Sequence, residues 1–316
     1  MDLDHLSFPD RTLDKVNRLL EVLEELGRHP ALKDKLCMHG GTALNLFMLK
    51  APRLSVDIDL SYIGSVDKER MLTERPAIES AVEEVIAFSG YTASGGNGDH
   101  AGRTFHLRYR GDWGSDQIKI DLIYLNRAPL IQPLPRPCYL RPALSVLTFS
   151  DFDLIGGKVK ALYDRVAIRD LYDISNLRRY LNGYVSDHPD STDLCHKIML
   201  YYVSLSNHFP LPLSERVQER FAGRESDLTL QLYPMLRNSE RPTLESLMSS
   251  AEAFINDYVL PIDNREKEYL ERFAYADYQP ELLFENYGFA LAAARVSPEA
   301  LWKLENLKKL ANTTLR

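Results

Sequence analysis

Residues 36–60 read Leu-Cys-Met-His-Gly-Gly-Thr-Ala-Leu-Asn-Leu-Phe-Met-Leu-Lys-Ala-Pro-Arg-Leu-Ser-Val-Asp-Ile-Asp-Leu. A short apolar run, Leu36 to Met38, enters the doublet Gly40-Gly41. Thr42 opens a helical stretch with Leu44, Phe47 and Met48 on one side. Pro52 ends it, because proline has no N–H and biases its predecessor away from helical angles. Ser55 to Leu60 then alternates polar and apolar. Period two puts Ser55, Asp57 and Asp59 on one strand face and Val56, Ile58 and Leu60 on the other.

Two carboxylates side by side on a rigid strand suit divalent-metal chemistry. Like charges at this spacing repel unless a cation sits between them, and hard Mg²⁺ (or Mn²⁺) takes carboxylate oxygens while leaving room for phosphate. A Gly-Gly turn at a helix start exposes backbone N–H groups that can cradle phosphate oxygens. Neither part is specific alone. The chain holds three Asp-x-Asp triplets, Asp2/Asp4, Asp57/Asp59 and Asp151/Asp153, and a glycine doublet before a helix is commonly a plain turn. The ordered combination of strand, Gly-Gly, helix and alternating Asp-x-Asp is the informative feature, and it resembles the nucleotidyltransferase superfamily.

At 316 residues the chain is long enough for two structural units. Its hydrophobic content of 45% and charged content of 26% are those of a globular protein. A net charge of −7 and pI near 5.7 argue against a uniformly basic nucleic-acid binder, yet leave room for a local basic groove. Cys37, Cys138 and Cys195 share no short metal-ligand spacing and read as reduced thiols of a cytoplasmic chain. No stretch suggests a signal peptide or membrane span.

Leu13, Val16, Leu19, Leu20, Leu23 and Leu26 recur at helical spacing behind Asp10, which reads as a cap. Residues 67–89 also read as helical, with Asp67 as cap, Gly90 as stop and Pro76 splitting the run in two. Ser94-Gly-Gly-Asn-Gly98 reads as a hairpin turn, with phosphate gripping as the alternative. Arg103 to Arg110 alternates: Phe105, Leu107 and Tyr109 face in, while His106, Arg108 and Arg110 face out. That outer face is either a solvated sheet surface or a basic wall receiving phosphates.

Gln117 to Tyr124 returns as a strand. Asp121 shares a face with Lys119, opposite Ile118, Ile120 and Leu122. A carboxylate here is costly if buried and unpaired. Either an arginine pairs with it, or it is a third metal-site carboxylate beside Asp57 and Asp59. Pro129, Pro133, Pro135, Pro137 and Pro142 mark an extended connector, and Val146 to Phe149 a short strand. Asp151 and Asp153 read as helix N-terminal charge behind Ser150. Along 154–174, Lys158, Ala161, Leu162 and Arg165 share one helical face, from which a lysine and an arginine can reach a triphosphate. Asp170 and Asp173 follow one turn apart. In isolation they read equally well as a salt-bridged surface.

Gly40-Gly41-Thr42 with Arg53, Ser55, Asp57 and Asp59, then Ile-Lys-Ile-Asp121, then Lys158-x-x-Ala161-x-x-x-Arg165-x-x-x-Arg169-Asp170-x-x-Asp173 resembles the AbiEii/MenT family. These are nucleotidyltransferase-like toxins of type IV toxin–antitoxin, or abortive-infection, systems, a form of antiviral defence. The motifs agree in order across residues 36–181. The resemblance implies an α+β fold: a nucleotidyltransferase-like mixed-sheet lobe with flanking helices over residues 1–181, then a mostly helical lobe over 182–316. It implies transfer of nucleotides from NTP to RNA, with tRNA 3′ ends the expected acceptor. It also implies an antitoxin encoded nearby that need not touch its toxin. By position, Asp57 and Asp59 would be metal ligands and Lys158 the triphosphate contact. Asp170 would be the essential acid, supported by Asp173. Ser55 would sit beside the catalytic aspartate.

On this reading Asp57, Asp59 and Asp121 hold the metal, while Gly40, Gly41 and Thr42 hold the phosphates. Lys158 neutralises the leaving pyrophosphate, and the scattered groups converge on one cleft. Two rival readings stay open. One is nucleotidyl or phosphoryl transfer to a small molecule or protein; the other is a non-catalytic nucleotide-binding module. Beyond residue 181 the pattern is of several short helices. Tyr201, Tyr202, Phe254, Tyr258, Tyr269 and Phe273 read as core, with RNA stacking as the alternative.

Overall fold

The computed structural model describes residues 7–94, 98–188, 191–210 and 217–314. Asp2, Asp4, Gly95, Gly96 and Asn97, named above, lie outside them. The chain packs as two compact units, one of Met1–Ser150 with Pro234–Ser239, the other of Asp151–Tyr233 with Glu240–Arg316. The sequence suggested a boundary after residue 181; by packing it falls after Ser150. The short segment Pro234–Ser239 rejoins the first unit through backbone hydrogen bonds that sequence periodicity does not report. Leu54 N donates to the Met235 carbonyl at 2.8 Å, and Asn238 N to that of Ser7 at 2.8 Å.

The first unit holds helix α1 (Asp10–Arg28), strand β1 (Leu36–His39) and a short helix α2 (Gly40–Thr42) that widens into a π-helical stretch, Ala43–Met48. Strand β2 (Asp57–Tyr62), helix α3 (Lys68–Phe88) and strands β3 (Thr92–Ser94), β4 (Gly102–Gly111), β5 (Gly114–Ile123), β6 (Leu134–Pro137) and β7 (Ser145–Thr148) follow. The strands form one seven-stranded sheet in the order β3-β4-β5-β2-β1-β7-β6. It is mixed: β2 runs parallel to β5 and β1 to β7, while the other neighbours are antiparallel.

Val16, Leu19, Leu20 and Leu23 of α1 are buried, as are Val82 and Ile86 of α3, Ile58 and Leu60 of β2 and Ile118, Ile120 and Leu122 of β5. Each such side chain contributes about 1.5–3 kcal/mol on burial, which is what holds both helices to the sheet. Tyr109 of β4 takes the Arg18 guanidinium of α1 over its ring at 4.6 Å.

Several local expectations change. Asp10 lies in the first turn of α1, and the cap position is Pro9 with no side-chain bond. Asp67 does cap α3, accepting from Arg70 N at 2.8 Å. Pro76 does not split α3, which runs unbroken past it. The residue is exposed, as is Leu72 one turn earlier, so the carbonyl left without a donor faces water. The helical stretch after Thr42 stops at Met48, and Lys50 and Ala51 at φ 58° and 54° turn the chain before Pro52 is reached. Part of the proline-rich connector is a strand: β6 lies at the edge of the sheet, where Pro135 and Pro137 cost no ladder bonds.

The second unit is helical: α4 (Asp151–Asp164), α5 (Ile168–Asp187), α6 (Thr192–Ser204), α7 (Val217–Phe221), α8 (Glu225–Asp227), α9 (Leu244–Phe254), α10 (Asn264–Ala274), α11 (Glu281–Phe284), α12 (Gly288–Arg295) and α13 (Pro298–Thr314). Helices α4 and α6 cross closely because Gly156 leaves room for the Tyr202 ring; a Cβ there would stand 2.4 Å from it. The Tyr202 hydroxyl donates to Asp153 at 3.0 Å. Asp153 is therefore a buried acceptor as well as a first-turn charge. Tyr201, Tyr202, Phe254, Tyr269 and Phe273 are core residues, and Tyr258 is half-buried. No helix among the described residues is long and apolar enough to cross a membrane.

A buried ionic group ties α6 to α10. His196 Nδ1 lies 2.8 Å from the Tyr258 carbonyl and Nε2 3.2 Å from Glu266; Lys197 reaches the other Glu266 oxygen at 3.0 Å. Burial lowers the His196 pKa, but the Glu266 carboxylate and the Tyr258 carbonyl more than offset it despite the neighbouring Lys197, so the value is raised above 6.5. The imidazolium's contribution to stability is complete below pH 6.5 and disappears as pH rises through the raised value. The urea midpoint of the protein is thus expected to fall on going from about pH 6 to 8, and to be flatter there for His196→Gln. Identical slopes would count against this role.

Candidate active site

The turn after β1 is built for glycine. Gly40 has φ +71°, and a Cβ there would stand 2.1 Å from Asp59 Oδ2, since His39 lies opposite Asp59 in the β1–β2 register. At Gly41 a Cβ would meet the Arg53 guanidinium and the Ser55 hydroxyl, both at 3.2 Å. Arg53 and Ser55 are buried and pack beneath the doublet. Asn45 donates from Nδ2 to the Gly41 carbonyl at 2.9 Å, and Thr42 Oγ1 to the Asp57 carbonyl at 2.5 Å. The Thr42 hydroxyl proton is thereby used to tie the helix start to β2.

Asp57 and Asp59 leave one face of β2, both half-buried, with Ile58 and Leu60 buried on the other. In the parallel β2–β5 register Asp59 stands beside Asp121 and Asp57 beside Lys119. On the far side of β5, Thr104 lies opposite Asp121 and His106 opposite Lys119. The alternation read from the sequence therefore aligns into two transverse rows: His39–Asp59–Asp121–Thr104 and Asp57–Lys119–His106.

The expected arginine partner of Asp121 is instead Lys119, whose ammonium lies 2.5 Å from Oδ2. Thr104 donates its hydroxyl to Oδ1 at 2.6 Å. Partial burial lowers the Lys119 pKa; its hydrogen bond to Asp121 and the charges of Asp121, Asp57 and Asp59 outweigh that and hold it raised. One ammonium thus sits in the field of all three carboxylates. Among the described residues no group of three His, Cys, Asp or Glu side chains is disposed to hold a metal by itself. Two adjacent carboxylates suit Mg²⁺, which keeps waters and takes phosphate oxygens from a bound nucleotide. The donor set fits an ion whose coordination the nucleotide completes.

The remaining sequence candidates gather within the second unit. Lys158 of α4 lies 2.9 Å from Asp170 and 2.9 Å from Asp173 of α5. Arg165 forks onto Asp170, with Nε at 2.8 Å and its second nitrogen at 3.2 Å. Lys158, Asp170 and Asp173 are buried, whereas the Arg165 side chain is 62% exposed. Burial would raise the Asp170 pKa, but Lys158 and Arg165 hold it far below the usual carboxylate range. Two cations engage the two buried carboxylates, the kind of pairing under which such burial is tolerated. The motif is therefore not a salt-bridged helix surface: its two Lys158 pairs are buried, while Arg165 reaches solvent.

Sequence reasoning missed the Thr104 hydroxyl on Asp121 and the packing of Arg53 under Gly41. The Thr104 partnership depends on the β4–β5 register, whereas Arg53 had a signal in its fixed spacing before Ser55. Gly40→Ala is expected to cost about 1–2 kcal/mol from the left-handed backbone alone, and to displace the Asp59 carboxylate. Thermal melts paired with titration of metal–nucleotide check this. A variant that melts and binds like the parent would refute the tight approach.

No protein among the curated ones matches the sequence. Among solved structures, the fold is similar to MenT4, nucleotidyltransferase toxin Rv2826c from Mycobacterium tuberculosis, at 17% identity and TM-score 0.56, covering 91% of this chain and 94% of that one. It is also similar to JHP933 from Helicobacter pylori, at 13% identity and TM-score 0.50, covering 84% and 96%. At these identities the likeness speaks to fold. The profile described as "Nucleotidyl transferase AbiEii toxin, Type IV TA system" matches residues 21–259. That match takes in the glycine doublet, the β2 acids, Asp121 and the Lys158–Asp173 group. The chain belongs to the AbiEii nucleotidyltransferase toxin family of type IV toxin–antitoxin systems.

Proposed function

We propose that this chain is a metal-dependent nucleotidyltransferase that acts in the cytoplasm on RNA, with tRNA 3′ ends the first acceptor to test. The observation that carries the reading is the approach of Asp59 to Gly40: a carboxylate pair is held against a turn that only glycine can form. Family membership supplies the nucleotide substrate and an antitoxin counterpart.

Asp57 and Asp59, with Asp121 beside them, would hold Mg²⁺ or Mn²⁺; the bound ion would polarise the triphosphate and acidify the acceptor hydroxyl. The backbone N–H groups of Gly40, Gly41 and Thr42 orient the phosphates, and Arg53 and Ser55 keep that turn in place. The acceptor 3′-oxygen bonds to the α-phosphorus as the bond from that phosphorus to the bridging oxygen of pyrophosphate breaks. The hydroxyl proton passes to a carboxylate of the set or to water. Lys158 and Arg165 of the second unit carry the cationic charge that the family motif offers to a triphosphate, with Asp170 and Asp173 fixing the lysine's position.

The test uses the purified protein, total tRNA and each NTP in turn, labelled at the α- or the γ-phosphate. Transfer of α-label into RNA with release of pyrophosphate is the expected result. Transfer of γ-label would make the reaction phosphoryl transfer. Label entering only protein or small molecules would remove RNA as acceptor.

A further inference from the structure

The charges on the two faces of the β4–β5 ribbon differ in a way that the reaction centre does not explain. On the face packed by α1 and α3, charges are matched. Arg103 pairs with Glu79 at 3.1 Å and with Glu83, and lies over the Phe105 ring; Asp116 pairs with Lys15 at 3.0 Å and Arg11 at 3.6 Å. The opposite face starts at the Asp59–Asp121 row and turns cationic along the ribbon. His106 lies opposite Lys119, Arg108 opposite Gln117, and Arg110 opposite Ser115. Arg108, Arg110, Ser115 and Gln117 are exposed. Among the described residues neither arginine takes part in an ion pair, although Asp112 sits in the turn beyond them. At that turn, which Gly114 closes with φ +95°, Trp113 is 54% exposed.

An acidic chain that leaves two arginines unmatched on a single strand face, and a tryptophan bare at its end, presents a site for a polyanion with aromatic bases. Residues two apart on a strand are roughly 7 Å apart, a spacing of the order of successive phosphates in an extended single strand. From Asp121 to Ser115 the ribbon runs roughly 20 Å. We infer that this face of the β4–β5 ribbon binds the single-stranded 3′ end of the RNA acceptor. Arg108 and Arg110 contact its phosphates, Trp113 stacks on a base, and the terminal hydroxyl is led toward Asp57, Asp59 and Asp121. A positively charged track with an aromatic platform is the general means of holding a single strand without reading its sequence. The inference rests on the RNA acceptor reading and names its binding surface.

The experiment measures fluorescence anisotropy of a 5′-labelled single-stranded RNA of about a dozen nucleotides with a free 3′-hydroxyl, titrated with protein at several salt concentrations. Expected for Arg108→Glu/Arg110→Glu is at least tenfold weaker binding. The slope of log affinity against log salt should also shrink by about 1.4, two contacts at roughly 0.7 each. Trp113→Ala should weaken binding roughly tenfold. Mg²⁺–NTP affinity by calorimetry should be unchanged in all of them, and circular dichroism confirms folding. Arg108→Gln/Arg110→Gln, which adds no negative charge, should fall between parent and reversal. Unchanged RNA affinity and slope in the reversal variant would overturn the inference, as they would if these arginines served a protein partner. So would a parent protein that binds no RNA. The two readings fail separately. RNA bound through Arg108 and Arg110 without label transfer would sink the reaction and keep the surface. Transfer with unchanged binding and KM for RNA in the reversal variant would sink the surface and keep the reaction.

Discussion

Truncating Lys158 to alanine is expected to lower unfolding free energy by about 3–5 kcal/mol, the usual cost of leaving buried charge without its partner. Asp170 and Asp173 are 1% and 0% exposed, and each has the Lys158 ammonium at 2.9 Å. Removing it takes that ammonium from two buried carboxylates, of which Asp170 keeps the Arg165 guanidinium. Chemical denaturation at pH 7 measures the loss, and a variant that also replaces Asp173 by asparagine should recover part of it through their coupling. The depressed Asp170 pKa gives the parent a second signature. Its contribution is present above the ordinary carboxylate value of 3.8 and is lost as pH falls through the lower folded value. A Lys158→Ala protein with parental stability would show that the buried group is not what holds α4 to α5. Arg165→Ala, at an exposed member of the group, should cost less.

Asp57→Asn and Asp59→Asn are each expected to reduce nucleotide transfer about 10³–10⁴-fold, since each removes several kcal/mol of charge stabilisation at about 1.4 kcal/mol per factor of ten. The fold should survive. The bond that Thr42 makes is to the Asp57 backbone carbonyl, which the substitution leaves in place. Both side chains are half-buried among like charges, so removing one relieves repulsion. Melting temperature is expected to hold or rise. Activity within tenfold of the parent in either variant would remove that carboxylate from the site. Asp121→Asn should cost less than either, because Thr104 and Lys119 already engage both of its oxygens.

The alternation at 55–60, 103–110 and 117–124 was enough to assign faces, because a strand's side-chain period is fixed and each stretch has one apolar side. What pattern alone could not supply was register. That Asp59 stands beside Asp121 follows from the parallel β2–β5 pairing of strands far apart in the chain, and that Thr104 stands on the other side of Asp121 follows from the antiparallel β4–β5 register. The glycine doublet was legible as a turn, but the reason for it, the Asp59 carboxylate occupying the place of a side chain, exists only in three dimensions.

Helix interruption was overread at Pro76, whose freed carbonyl has water to bond, and underread at Lys50 and Ala51, whose left-handed angles no local residue preference announces. The ion pairs of Lys158 were visible only as spacing. Lys158 and Asp170 stand 12 residues apart, where each could face solvent on its own helix or the two could link neighbouring helices, and the choice depends on which face the unit buries. Segment Pro234–Ser239 returned to the first unit through main-chain bonds, which carry no residue signature at all.

The central claim is that Asp57 and Asp59, beside the Gly40 turn, form the metal–nucleotide site. Crystals grown with Mn²⁺ and a non-hydrolysable NTP test it most directly, because the anomalous signal locates the ion without reference to activity. A peak coordinated by Asp57 and Asp59 is expected, with triphosphate oxygens at the backbone N–H groups of Gly40 to Thr42. A metal–nucleotide complex bound elsewhere, with these two carboxylates touching neither ion nor phosphate, would contradict it.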